Sequence, residues 1–151
     1  GIDCVKFQSY KADTIASKNS PAYWDTTKET CKTQYELFKK FDSFGENEYK
    51  ELSTFAHAQG IDFCSTPFDY YSADYLEDMV DFYKISSSDL LNYPFVRHIG
   101  SKKKPVYLSV GASYLSEIDE AVRILKKLGV MILLCYIASS PTRHCRKMQT
   151  S

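Results

Sequence analysis

No run of this sequence approaches the roughly 20 consecutive apolar residues that a membrane-spanning helix needs. A charge imbalance is missing too. The 19 basic and 19 acidic residues cancel, so composition gives no reason to expect a nucleic acid or a membrane surface as partner. The opening Gly1-Ile2-Asp3-Cys4 has neither a start methionine nor a charged, apolar leader. The expectation is a chain that begins inside a longer protein and works in the cytoplasm. The five cysteines (Cys4, Cys31, Cys64, Cys135 and Cys145) are odd in number and form no CxxC pair, which fits reduced thiols acting as small apolar residues. His57, His98 and His144 show no metal-ligand spacing. Neither GxGxxG nor GxxxxGK[ST] occurs, which argues against a nucleotide-binding fold.

What is present suffices for one domain: 151 residues, 44% hydrophobic and 15% aromatic. The organising stretch is Phe82-Tyr83-Lys84-Ile85-Ser86-Ser87-Ser88-Asp89. It starts as a buried strand and ends as a polar cluster. A lysine inside a short apolar run is costly unless an anion or carboxylate meets it. Followed by serines and an aspartate, it reads as a phosphate or carboxylate site at the C-terminal end of a barrel strand. It reads equally as a strand running into a serine-rich, helix-capping turn.

Cys4 to Gln8 alternates, with Val5 and Phe7 on one side and Cys4, Lys6 and Gln8 on the other. Residues 9–33 are polar and aperiodic, long enough to suggest a functional loop. Helices are predicted over Gln34–Phe41 and over Glu46–Gln59, the second with Leu52, Phe55 and Ala56 on its apolar side and Gly60 as its stop. A strand follows at Ile61–Ser65. Ser72 then caps a helix whose apolar face is Leu76, Met79 and Val80. After the organising strand come a short helix over Pro94–Ile99, stopped at Gly100, and a strand at Pro105–Ser109. A helix with a capping-box-like start at Ser116 and Asp119 carries Ile118, Ala121, Val122 and Leu125 and ends at Gly129. Val130–Tyr136 is a fifth strand. Tyr70, Tyr71 and Tyr75 are expected to pack, and Lys102-Lys103-Lys104 to form a solvated turn.

Strands alternating with helices define an α/β fold with parallel crossovers. Five strands fit an open doubly wound sheet or part of an eight-stranded barrel. Polar residues end strand after strand (Gln8, Thr66, Ser86 to Asp89, Ser109), which favours the barrel. Lys6 and Lys84 would then share one mouth and call for a polyanion, with Thr66, Ser87 and Ser109 as neutral donors. Taken singly, each serine or threonine is an ordinary cap and each lysine an ordinary snorkelling side chain. Their co-occurrence on neighbouring strands favours a site. Asp89 is a proton-transfer group, a hydroxyl acceptor or an N-cap.

Val5-Lys6-Phe7-Gln8, Ser65-Thr66-Pro67-Phe68-Asp69, Lys84-Ile85-Ser86-Ser87-Ser88-Asp89 and Leu108-Ser109-Val110-Gly111-Ala112 occur in an order and spacing that resembles the sialic acid synthase family, N-acetylneuraminate synthase and its bacterial relatives. Ala12-Asp13-Thr14, Tyr23-Trp24 and Tyr35-Glu36-Leu37-Phe38 resemble its bacterial, surface-polysaccharide branch. The resemblance implies a (β/α)8 TIM barrel, of which residues 1–130 would hold strands two to six. It implies a transferase that condenses phosphoenolpyruvate with an N-acetylated amino sugar of the N-acetylmannosamine type. It implies a divalent metal (Mn2+ or Mg2+) that polarises the sugar aldehyde, and a cytoplasmic homodimer. Lys6, Thr66, Lys84, Ser87 and Ser109 match phosphoenolpyruvate-binding positions, Gln8, Phe68 and Asn19 match sugar-side positions, and Asp89 stands where many members have a catalytic glutamate. The first-strand motif Ala-Glu-Ile-Gly-x-Asn-His, the metal-binding histidines of later strands and the antifreeze-like domain have no counterpart in these residues. The expectation is therefore that the chain is inactive by itself.

Residues 131–151 are expected to be a tail unlike the family. Either it is a divergent end or its coding has slipped out of frame, since the adjacent frame of Leu134 to Ser151 permits Leu-His-Cys and Ser-Tyr-Pro. In the second case Arg143 to Lys147 is neither a basic nor a metal motif. Two further functions compete with a neuraminate synthase: a phosphoenolpyruvate-dependent synthase of another nine-carbon sugar, such as legionaminic or pseudaminic acid, and a non-catalytic phosphate-binding α/β module.

Overall fold

The computed structural model describes residues 1–111 and 113–136. The tail motif around His144 and Cys145 lies outside the described residues. Five parallel strands form one sheet in sequential order: β1 (Cys4–Ser9), β2 (Asp62–Pro67), β3 (Phe82–Ile85), β4 (Val106–Ser109) and β5 (Ile132–Tyr136). Strand order never reverses. A doubly wound sheet needs such a reversal, whereas a barrel grows by adding each strand beside the last. The open sheet is thus a partial barrel. Helices α1 (Ala12–Ile15), α2 (Gln34–Phe41), α3 (Glu46–Ala58), α4 (Tyr70–Tyr75), α5 (Tyr93–Ser101) and α6 (Leu115–Lys127) fill the connections.

Register decides which side chains share a face. Lys6 pairs with Cys64, Gln8 with Thr66, Cys64 with Phe82, and Lys84 with Tyr107. Because side chains alternate along a strand, this puts Lys6, Gln8, Cys64, Thr66, Lys84 and Ser109 on one face. The opposite face carries Phe7, Phe63, Tyr83, Ile85, Val106 and Leu108, which pack against the helices. Phe7 stacks on Phe63 with centroids 5.4 Å apart, and Tyr49 of α3 meets Phe7 edge-on at 6.2 Å. Buried polar groups on this side find partners. Tyr83 Oη donates to Ala73 O at 2.6 Å, Ser53 Oγ to Met79 O at 2.7 Å, and Ser9 and Ser65 share a hydroxyl bond of 2.6 Å.

Several expectations are corrected. Phe55 has helical spacing but is 68% exposed, off the buried side of α3 that Tyr49, Ser53 and Ala56 form. The cap of α4 is Asp69, whose carboxylate accepts from Ser72 N at 2.6 Å. Leu76, Met79 and Val80 are buried in the turn after this short helix rather than on its face. α5 runs through Gly100, where a Cβ would stand 2.7 Å from Leu128 Cδ1; the glycine admits a neighbour and does not end the helix. α6 starts at Leu115, with Glu117 Oε2 accepting from Tyr114 N at 2.7 Å, so neither Ser116 nor Asp119 caps it. The loop over residues 9–33 contains α1.

The lysine triplet is not a solvated turn. Lys102 Nζ bridges Asp74 Oδ1 at 2.6 Å and Glu77 Oε2 at 2.8 Å. Lys103 donates to Leu128 O, and Lys104 Nζ donates to Val80 O at 2.7 Å. Tyr75 packs on Tyr49, Tyr70 meets Phe95 edge-on at 5.3 Å, and Tyr71 meets Tyr75 edge-on at 5.3 Å while staying 62% exposed. Cys64 is buried, while Cys4, on the open edge strand, is only half-buried.

Candidate active site

The C-terminal ends of β1 to β4 carry the candidate residues. Lys6 and Gln8 are exposed, Lys84 is half-buried, and Thr66 and Ser109 are buried. Among the described residues, Thr66 Oγ1 and Ser109 Oγ are the buried side-chain oxygens without a hydrogen-bond partner. Burial pushes the Cys64 thiol up to about 12, against the opposing pull of Lys6 and Lys84. That pull places both lysines electrostatically close to one residue. The two cations and two unsatisfied hydroxyls therefore share one face and one end of the sheet, an arrangement suited to an oxyanion-rich ligand.

The turn after β3 holds the serines. Ser88 Oγ donates to Ser86 Oγ at 2.9 Å and lies 3.3 Å from Asp89 Oδ2. Ser87 is half-buried in the same turn. Burial raises the Asp89 carboxyl above the usual aspartate range and outweighs its bonds to Ser88 and Asn92. A carboxyl shifted in this direction is a better proton carrier near neutral pH than an ordinary surface aspartate.

Beside this turn opens a cavity of about 410 Å³. Gln8, Phe68 and Ser88 line it from the strand ends; Tyr10, Ile15, Tyr23, Gln34 and Phe38 line it from the segment between β1 and α3. Gln8 and Phe68, expected on the sugar side, thus come together. Asn19 does not line the cavity; it sits in the exposed turn around Ser17. Tyr10 and Ile15 escape a sequence reading because residues 9–33 have no period, and Gln34 and Phe38 because a helical period alone does not say that α2 faces a cavity. The one available signal is Tyr10, an aromatic residue directly after a strand that ends in polar residues. Among the described residues no three of His, Cys, Asp and Glu come together as a metal site, so the donor set present does not fit the divalent ion that the resemblance implies.

Comparison with known proteins decides the family. A profile described as the NeuB family matches residues 1–147. The chain belongs to the NeuB family. It is 41% identical over 147 residues to an uncharacterised protein of Methanocaldococcus jannaschii, covering 95% of this chain and 40% of that protein. It is 38% identical over 129 residues to the N,N'-diacetyllegionaminic acid synthase of Legionella pneumophila, covering 83% of this chain and 36% of that enzyme. Among solved structures, the N-acetylneuraminic acid synthetase of Leptospira borgpetersenii in complex with citrate superposes with a TM-score of 0.75 at 30% identity, over 93% of this chain and 46% of that one. The chain spans about 40% of the length of the curated relatives it matches. The NeuB membership and this superposition agree with a partial barrel.

Proposed function

We propose that this NeuB-family chain carries the phosphoenolpyruvate half of a synthase that joins phosphoenolpyruvate to the aldehyde of an N-acetylated amino sugar and releases phosphate. The observation that carries this reading is the pair of buried, unpartnered hydroxyls at Thr66 and Ser109, on the same sheet face as Lys6 and Lys84. Leaving a buried hydroxyl unsatisfied costs about 1–3 kcal/mol. A ligand bearing both phosphate and carboxylate accepts from both hydroxyls, and its charge is opposite to that of both lysines.

In this reading the lysines offset the ligand's charge while Thr66, Ser87 and Ser109 orient it. The enol carbon attacks the aldehyde carbon, forming the new C–C bond. Water adds at the oxocarbenium carbon left behind, and the bond from that carbon to the phosphate oxygen breaks. As the carbonyl forms, the water's second proton leaves with the phosphate; its first goes to the new alkoxide, so the step balances. Asp89, with its raised pKa, carries the proton to the alkoxide. The divalent ion finds no ligand set among the described residues, and no step here runs through it. The whole enzyme, in this reading, is a cytoplasmic homodimer. The legionaminic acid synthase relative supports a diacetamido sugar as acceptor over a monoacetamido one.

Titration of the isotopically labelled chain with phosphoenolpyruvate, and separately with inorganic phosphate, tests the reading by amide chemical shifts. Phosphoenolpyruvate is expected to shift Thr66, Lys84 and Ser109, and T66V combined with S109A to abolish saturation. Silence at these positions at millimolar ligand would sink the proposal. Equal affinity for inorganic phosphate would leave only an anion-binding module.

A further inference from the structure

Thr66 depends on β1 for its place. Among the described residues β2 pairs with β3 at Cys64 and Ser65 alone, whereas Thr66 pairs with Gln8 of β1. A β-branched side chain is stiff about its first torsion, so the backbone of Thr66 decides where its unpartnered hydroxyl lies. Whatever fixes the ends of β1 and β2 against each other therefore fixes one donor of the candidate site.

Directly behind that site, on the helix-facing side of the sheet, lies a set of buried hydroxyls. Ser9 and Ser65 alternate with Gln8 and Thr66 along their strands, so their side chains point away from the site. Both are fully buried, and their hydroxyls bond to each other at 2.6 Å, tying the end of β1 to the residue before Thr66. Tyr49 of α3 donates from Oη to Gln8 O at 2.6 Å. Ser9 O accepts from Phe68 N at 3.1 Å. Gln8, Thr66 and Phe68 thus each lie one peptide or one hydrogen bond from this set. Tyr49 is held in turn: it stacks on Tyr75 at 6.0 Å and meets Phe7 and Phe44 edge-on. Burial raises the phenols of Tyr49 and Tyr75, and Ser9 pulls both back down, which places the Ser9 hydroxyl beside both.

Stability alone does not call for hydroxyls here. Replacing both partners of a buried hydrogen bond by apolar groups of similar shape is nearly neutral. A hydroxyl pair differs in being directional: it admits one spacing of the two strand ends. We infer that Ser9, Ser65 and Tyr49 are positioning residues, which act through the backbone of β1 and β2 to hold Thr66 and Gln8 at one spacing across the strand ends. The inference rests on the proposed synthase reading for the identity of the ligand, phosphoenolpyruvate, and adds the residues that fix the place of its donor.

A double-mutant cycle on the full 151-residue chain tests this, read by phosphoenolpyruvate titration of the amide shifts. S9A combined with S65A removes both hydroxyls and leaves no orphan. This pair is expected to keep the urea midpoint of the parent and to weaken phosphoenolpyruvate about tenfold, the effect of a displaced donor. In the T66V background the same pair is expected to change affinity less than about twofold, since the group it positions is already gone. Y49F reads the set from α3 and carries the test if the serine pair fails to fold; it too is expected to weaken binding more in the parent than in T66V. Equal weakening with and without the Thr66 hydroxyl means a general loosening and overturns the inference. So does a parent that saturates while the variants match it, which leaves the synthase reading standing. A parent that does not saturate removes the synthase reading and the inference with it.

Discussion

Thr66 and Ser109 hold hydroxyls that the fold buries without partners, so substitution there separates folding from binding. T66V keeps the shape and removes the unsatisfied group. Urea unfolding is expected to show stability unchanged or raised by about 1–2 kcal/mol, while phosphoenolpyruvate affinity falls. Asp89 gives a pH signature. Its folded pKa is raised by burial, so its contribution is fully present below the ordinary aspartate value and is lost as pH rises through the raised value. D89N is expected to equal the parent at low pH and to exceed it in stability at pH 7, as read from paired unfolding curves. Cys64, with its thiol held at about 12, is expected to stay unmodified by iodoacetamide at pH 8 in the folded chain, as peptide mass mapping would show. Lys6, Gln8, Thr66, Lys84 and Ser109 were all legible in the sequence, because a polar residue at the end of an apolar strand stands out against its neighbours.

At the scale of the element, the strands were readable because alternation and apolar runs are local signals. Helix boundaries were readable in part: α2 runs over Gln34–Phe41 and α3 starts at Glu46 as read, whereas the start of α6 and the end of α5 differ. Gly100 looks like a stop from sequence, yet α5 continues because the missing Cβ makes room for Leu128 of the next helix connection. G100A is expected to change stability by less than about 1 kcal/mol, since its gain in helix propensity offsets the displacement of one flexible leucine end. G100V adds branched volume against buried Leu125 and is expected to cost about 2 kcal/mol or more in the same unfolding measurement. The lysine triplet misled for a related reason. Three adjacent cations look solvated until α4, the turn after it and the end of α6 bring Asp74, Glu77 and the carbonyls of Val80 and Leu128 to them.

At the scale of the molecule, the sheet presents β1 and β5 as its two end strands, and apolar helix flanks stand beside them. Phe55 and Phe44 mark the α3 side, and Leu115 marks the α6 side at 80% exposed. Parallel edges that pair with no other strand among the described residues, beside apolar surface, favour self-association. Sedimentation is expected to show concentration-dependent association of the chain, and F55K combined with L115K to reduce it without changing the far-ultraviolet spectrum. Persistence of the same association in that double variant would place it elsewhere.

By itself the sequence determined the α/β class, the family and the strand-end polar residues, because each is written in short-range pattern: period, run length and ordered motif. Tertiary structure decided the rest. Parallel register put two lysines and two unpartnered hydroxyls on one face. The aperiodic segment between β1 and α3 became an aromatic wall only once hydrogen bonds to Asp42, Asp69 and Ser20 folded it over the strand ends. Those contacts join residues tens of positions apart, and no local pattern encodes them.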